Sequence, residues 1–152
     1  MNINKKTIKE TIKKILQIMG FKGEIEVAVS DKDLLVVNIN TPEGGYLIGS
    51  GGETLLALQY LVKLILMKKF PTDNYNFIID VNNYRKDRTE IIKKLALKKA
   101  QQAVREQRKI VFHPMTAYER RIIHLSLAGM QNIICKSEGQ GKERHIVIKP
   151  LV

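Results

Sequence analysis

Tyr46-Leu47-Ile48-Gly49-Ser50-Gly51-Gly52-Glu53-Thr54-Leu55-Leu56-Ala57-Leu58 is the stretch on which the fold turns. A short apolar piece runs into four small residues. Beyond them Leu55, Leu58, Leu61, Val62, Ile65 and Leu66 trace one face of a helix that Pro71 closes. A nucleotide-binding P-loop would end a Gly-x-x-x-x-Gly run with Lys-Ser/Thr straight after a strand. Counted from Gly44, the run reaches Gly49 and continues with Ser50, without the lysine. A dinucleotide fingerprint fails as well, because Gly49-Ser50-Gly51 is followed by Gly52-Glu53-Thr54 and lacks the last glycine. What remains is a Gly-x-x-Gly turn between two helices. Such a turn is either a plain connection or a place where a ligand backbone comes close, with the next helix offering its N-terminal amides to phosphate.

Working outward, Asn4 to Met19 places Ile8, Ile12, Ile15, Leu16 and Met19 at helical spacing, and Gly20 stops the helix. Glu24 to Val29 alternates as a strand, Asp31-Lys32-Asp33 makes a turn, and Leu34 to Ile39 completes a hairpin. Asn76 to Val81 is a third strand. A long basic helix is expected from Asn83 to Lys109, with Ile91, Leu95, Ala96 and Val104 on its buried side, and Ile110 to Pro114 reads as a connector. Thr116 and Glu119 have the spacing of a capping box that opens a helix reaching Ala128. Strands at Asn132 to Lys136 and Arg144 to Lys149 follow, joined by the loop Ser137-Glu138-Gly139-Gln140-Gly141.

The 152 residues suit one large domain or two small ones, and charge favours two. Residues 1–82 hold ten basic and nine acidic side chains, whereas 83–152 hold sixteen and six. The second module is therefore the meeting place for a polyanion. No apolar run exceeds four or five residues, far short of the roughly 20 a membrane-spanning helix needs, so stable membrane insertion is not expected. The N-terminal lysines are scattered among isoleucines and do not form a secretory signal. The single Cys135 excludes an internal disulfide and any multi-cysteine metal site, and a cytoplasmic location follows as the default. His113 and His145 have no carboxylate or cysteine neighbours at metal spacing. Cys135, in an apolar strand, reads as core. Tyr84, Tyr118 and Phe112 are as suited to packing as to stacking on bases.

The order helix, strand, strand, short helix, glycine loop, helix, strand is the type II KH arrangement, in which a groove beside the loop holds about four unpaired bases. From Tyr46 to Val62 the sequence closely resembles the KH segment of the bacterial Jag (KhpB, SpoIIIJ-associated) family. Met115-Thr116-Ala117-Tyr118-Glu119-Arg120-Arg121-Ile122-Ile123-His124 resembles that family's second module, the R-three-H domain, named for an arginine and a histidine separated by three residues, here Arg120 and His124. Tyr84-Arg85, Ser137-Glu138-Gly139 and Arg144 to Pro150 fit as well. The resemblance implies post-transcriptional regulation linked to cell-envelope growth and cell shape, and a small KH-only partner protein. Two departures stand out. The chain is expected to lack the N-terminal Jag domain that many relatives carry. The two central loop residues, usually basic in the family, are Ser50 and Gly51, which removes a cation near phosphate.

Residues four apart share a helical face, so Arg120 and His124 can grip one phosphate, or a phosphate and a base. Arginine supplies a permanent planar fork, and histidine a donor whose charge varies near neutral pH. The expectation is an α+β protein with a type II KH domain over 1–82 and a small α/β R-three-H domain over 83–152. It binds single-stranded RNA, is not an enzyme and needs no cofactor or metal. The candidate site residues are Gly49, Ser50, Gly51 and Gly52 in the first module, with Arg120, Arg121, His124, Lys142 and Arg144 in the second. Single-stranded DNA binding and a protein–protein scaffold with a vestigial loop are the alternatives.

Overall fold

The computed structural model describes residues 4–30, 33–71 and 75–151. It divides into two units, Met1–Arg85 and Lys86–Val152. The first unit begins with α1 (Lys5–Met19), whose N-cap Asn4 accepts from the amide of Lys6. Gly20 ends it in the left-handed conformation, and its amide and that of Phe21 return to Gln17 and Leu16. Ile8, Ile12 and Leu16 are buried as the spacing predicts, whereas Met19, in the last turn, is exposed. β1 (Glu24–Val29) pairs antiparallel with β2 (Leu35–Asn40). Of the turn expected between them, Asp31 and Lys32 lie outside the described residues.

β3 (Phe77–Val81) lies parallel to β2, giving the order β1-β2-β3. A parallel neighbour requires a crossover, and α2 (Gly44–Ile48) and α3 (Glu53–Lys69) supply it. The core gathers Ile8 and Ile12 from α1, Val37, Ile39, Ile79 and Val81 from the sheet, and Leu55, Val62 and Leu66 from α3. Each such side chain contributes about 1.5–3 kcal/mol by leaving water. Leu61, expected on the buried face of α3, is instead 45% exposed. The inward row is Leu55, Leu58, Val62 and Leu66. This helix is apolar nearly all round, so its spacing alone could not say which leucines point in.

β3 is an edge strand whose outward polar groups are satisfied by side chains. Gln59 accepts from the amide of Ile79 and donates to the carbonyl of Phe77, and Arg85 donates to the carbonyl of Ile79 and to Gln59. Buried Asp80 accepts from the amides of Val81 and Arg85, fixing the start of α4 (Tyr84–Glu106) against the strand.

In the second unit α4 buries Ile92, Ala96, Ala100 and Ala103. This corrects half of the expected face: Ala96 is buried and Val104 packs against the core as expected, but Ile91 and Leu95 are exposed. Both rows have helical spacing. The true one is made mostly of alanines, which let neighbouring elements approach closely but carry little hydrophobic signal. The expected connector is also corrected: β4 (Ile110–Val111) pairs with β6 (His145–Pro150), and the amide of Phe112 continues the ladder to Ile146. Two residues are too few for an alternation to show. β5 (Ile133–Glu138) flanks β6 on its other side, giving the order β4-β6-β5. α5 (Ala117–Leu127) contributes Ile122, Ile123 and Leu127 to the second core. No helix among the described residues is long and apolar enough to cross a membrane.

Candidate nucleic-acid interface

The glycine turn holds its shape because its outer glycines have no room for side chains. Gly49 has φ 71° and ψ −173°, and a Cβ there would collide with Thr54 Oγ1. Gly52 caps α3 at φ 83°, with the Tyr84 ring 3.2 Å from where its Cβ would be. Tyr84 therefore packs beneath the loop as part of the first core. The middle pair differs: Ser50 and Gly51 are exposed, and a Cβ on Gly51 would meet nothing within 4 Å. The turn thus offers an unobstructed backbone at the start of a 17-residue helix. It offers no cation, and Glu53 in the first turn of α3 already interacts with the positive end of that helix. The amides of Gly49, Gly52 and Glu53 are already bonded within the turn.

The second unit supplies the cations. The capping box is present: Thr116 accepts from the amide of Glu119, and Glu119 accepts from the amide of Thr116. Glu119 is buried and also accepts from Arg88 Nε at 2.8 Å. That pair neutralises one arginine of α4 while fixing the first turn of α5. Arg120 then turns back along the helix and donates through Nη1 to the carbonyl of Met115 at 2.7 Å. The amide of Met115 donates to the carbonyl of Arg144 at 3.2 Å, and Arg144 Nε donates to Ser137 Oγ at 2.9 Å. Met115 thus joins Arg120 to Arg144 across elements remote in sequence.

His124 is half-buried one helical turn beyond Arg120 on the same face. Lys142 is exposed in the single turn Gly141–Glu143 that precedes Arg144. Arg121 is exposed but stands about 100° around α5 from Arg120, and it lines a groove against α4. Of the expected second-module residues, Arg120 and His124 thus share one face of α5, Arg120 is tied through Met115 to the main chain at Arg144, which follows Lys142 in the loop, and Arg121 stands on another side of α5. Among the described residues, none of Arg120, Arg121, Lys142 or Arg144 has a carboxylate within ion-pair distance. Arg88, Arg105, Arg108 and Lys149 do. Cationic groups left uncompensated are what an anionic ligand requires. Met115 and Ser137, the residues that hold Arg120 and Arg144, were missed from sequence because their roles are carried by a backbone group and a single hydroxyl. The Thr116/Glu119 spacing was the one readable signal that this turn is rigid.

Cys135 is half-buried against the second core, and burial pushes its thiol up from its ordinary value. That places it with the packing residues and away from nucleophiles.

Residues 5–79 match the KH domain of KhpA/KhpB, and residues 90–150 match the R-three-H domain. The chain belongs to the Jag/KhpB family of proteins that join these two domains. It is similar to the RNA-binding protein KhpB of Bacillus subtilis (strain 168), with 36% identity over 136 residues, which is 88% of this chain and 64% of that protein. It is 34% identical over 140 residues to the RNA-binding protein KhpB of Clostridium symbiosum, covering 91% of this chain and 63% of that one. A Streptococcus pneumoniae KhpB matches at 34% over 112 residues, 74% of this chain and 34% of its own length. The chain thus spans a little under two thirds of the first two relatives. The glycine turn lies within the matched KH range, and Arg120 and His124 lie within the matched R-three-H range.

Proposed function

We propose that the chain binds single-stranded RNA without catalysis. The R-three-H unit supplies most of the affinity through Arg120, His124, Lys142 and Arg144, with Arg121 adding a cation beside them. The KH turn Gly49-Ser50-Gly51-Gly52 guides the backbone of the strand. The observation that carries this reading is that Arg120, Arg121, Lys142 and Arg144 have no carboxylate within ion-pair distance among the described residues, while Met115 ties the Arg120 guanidinium to the main chain at Arg144. The relatives' printed name, RNA-binding protein, supports it. We take the functional division as KH over 1–82 and R-three-H over 83–152, with a cytoplasmic site of action. The biological role is post-transcriptional regulation bearing on cell-envelope growth and cell shape.

The test is fluorescence anisotropy of the intact chain with a labelled single-stranded RNA, the same sequence as DNA, and an RNA duplex. Tightest binding to the single-stranded RNA supports the proposal. Equal affinity for DNA moves it to single-stranded nucleic acid in general, and no binding to any of the three refutes it.

A second reading concerns partners and rests on α3. Leu56, Tyr60, Leu64 and Met67 follow one another at helical spacing and are 44–65% exposed, an apolar stripe on the outside of the KH unit. This stripe suits a small KH-only protein. Mixing the two on a sizing column should give a complex that Tyr60→Glu abolishes, and an unchanged elution volume would remove this partner.

A further inference from the structure

Between α4 and α5 of the second unit lies an open groove of about 620 Å³. Thr89, Lys93 and Leu97 line it from α4 at i, i+4 and i+8, a row about 12 Å long. Tyr118, Ile122 and Leu125 form the facing row on α5, with Arg121 at the rim. Leu97 is 44% exposed, Tyr118 57% and Leu125 68%, so these are large apolar groups in one contiguous patch.

Three features say what covers it. The rim is cationic: Arg121 has no carboxylate partner among the described residues, and Lys93 has only an exposed pair with Glu90, readily exchanged for another acid. A second copy would bring cation against cation, because residues 86–152 hold fifteen basic and six acidic side chains. A nucleobase asks for flat partners, whereas this groove offers branched Leu97, Ile122 and Leu125 and a single ring, Tyr118, whose hydroxyl lies 3.4 Å from Thr89 Oγ1. Two helical rows with aliphatic side chains between them match a third helix laid along them.

We propose that this groove docks an acidic amphipathic helix of a partner protein. Its apolar side chains at i, i+3 or i+4, and i+7 seat among Leu97, Ile122 and Leu125, and its flanking carboxylates meet Arg121 and Lys93. The site shares only Arg121 with the proposed RNA surface and goes beyond that reading.

The experiment titrates the intact, methyl-labelled chain in NMR with a synthetic peptide of about four helical turns. The peptide carries leucines at those positions and glutamates beside them. Controls replace its glutamates with lysines, or its leucines with serines. Saturable shifts of the Leu97, Ile122 and Leu125 methyls by the acidic leucine peptide alone are expected. Leu125→Asp, at an exposed position, should weaken that peptide by about tenfold or more while leaving melting temperature and RNA affinity unchanged. Arg121→Glu should transfer the preference to the lysine peptide. Equal response to the acidic and basic peptides, or no response, overturns the proposal. Single-stranded RNA moving these same methyls and displacing the peptide assigns the groove to nucleic acid. Concentration-dependent shifts without peptide, lost in Leu125→Asp, assign it to a second copy. A chain that binds no RNA but passes the peptide test would refute only the RNA reading.

Discussion

Arg120→Ala separates a binding arginine from a structural one, because Arg120 serves the fold through Met115 and is proposed to serve RNA as well. Its Nη1 bonds the Met115 carbonyl at 2.7 Å, on the surface side of the second unit, and the side chain is half-buried. Removing that bond costs about 0.5–1.5 kcal/mol of stability, the usual net value of such an interaction. A contact from the same guanidinium to phosphate is charge-assisted and is worth about 1.5–3 kcal/mol, which converts to roughly 10- to 150-fold in dissociation constant. Anisotropy with labelled single-stranded RNA measures the second effect, and a thermal melt measures the first. Arg120→Lys keeps the charge but cannot hold Met115 and a phosphate together, so it should recover only part of the affinity. In a cycle with His124→Ala the two losses should fail to add if both residues serve one phosphate. A variant that melts earlier yet binds RNA within about twofold of the parent would refute the reasoning and leave Arg120 as a helix strap.

Other expectations are briefer. Ser50→Lys places a cation on the exposed middle of the KH turn, so RNA affinity should rise about two- to tenfold in the same assay; an unchanged value would mean the turn does not meet the strand. Gly49→Ala forces a side chain into Thr54 at a backbone angle suited to glycine, and the KH unit should lose on the order of 1–3 kcal/mol in denaturant unfolding. Asp80→Ala leaves the amides of Val81 and Arg85 without their acceptor and should destabilise by about 1–3 kcal/mol or more, read by the same unfolding curve. Burial raises the Cys135 thiol, which lowers its thiolate fraction at any pH below that raised value. Iodoacetamide should therefore label it more slowly than free cysteine at about pH 8 and at the ordinary rate in urea.

Much of this architecture was readable from sequence, and the failures have physical causes. Most of the α1 face, the hairpin strands, the third strand and the capping box each carry a local signal, namely a period or a reciprocal pair, that tertiary contacts did not overturn. The inner face of α4 was only half legible: Ala96 and Val104 were placed on it, but Ile91 and Leu95 drew attention from Ile92 and from the alanines at 100 and 103, where burial requires small size. Strand β4 was invisible because its two residues are specified by β6, far away in sequence. At the candidate site, the Gly-x-x-Gly turn and the Arg-x-x-x-His spacing each lie where the sequence placed them, one before α3 and one on α5. That Arg120 is tied through Met115 to the main chain at Arg144, while adjacent Arg121 lines a groove elsewhere, depends on helix phase and a long-range backbone bond. Neither can be read from residue types.

The salt dependence of RNA binding tests the central claim most directly, with the intact chain compared against the triple variant Arg120→Ala, Lys142→Ala, Arg144→Ala. Each phosphate contact to a single strand contributes a slope of roughly −0.7 in log affinity against log salt. If these three cations carry the contacts, the variant's slope should be shallower than the parent's by about 2. A variant that folds normally and keeps the parent's slope would place the phosphate contacts elsewhere and contradict the account.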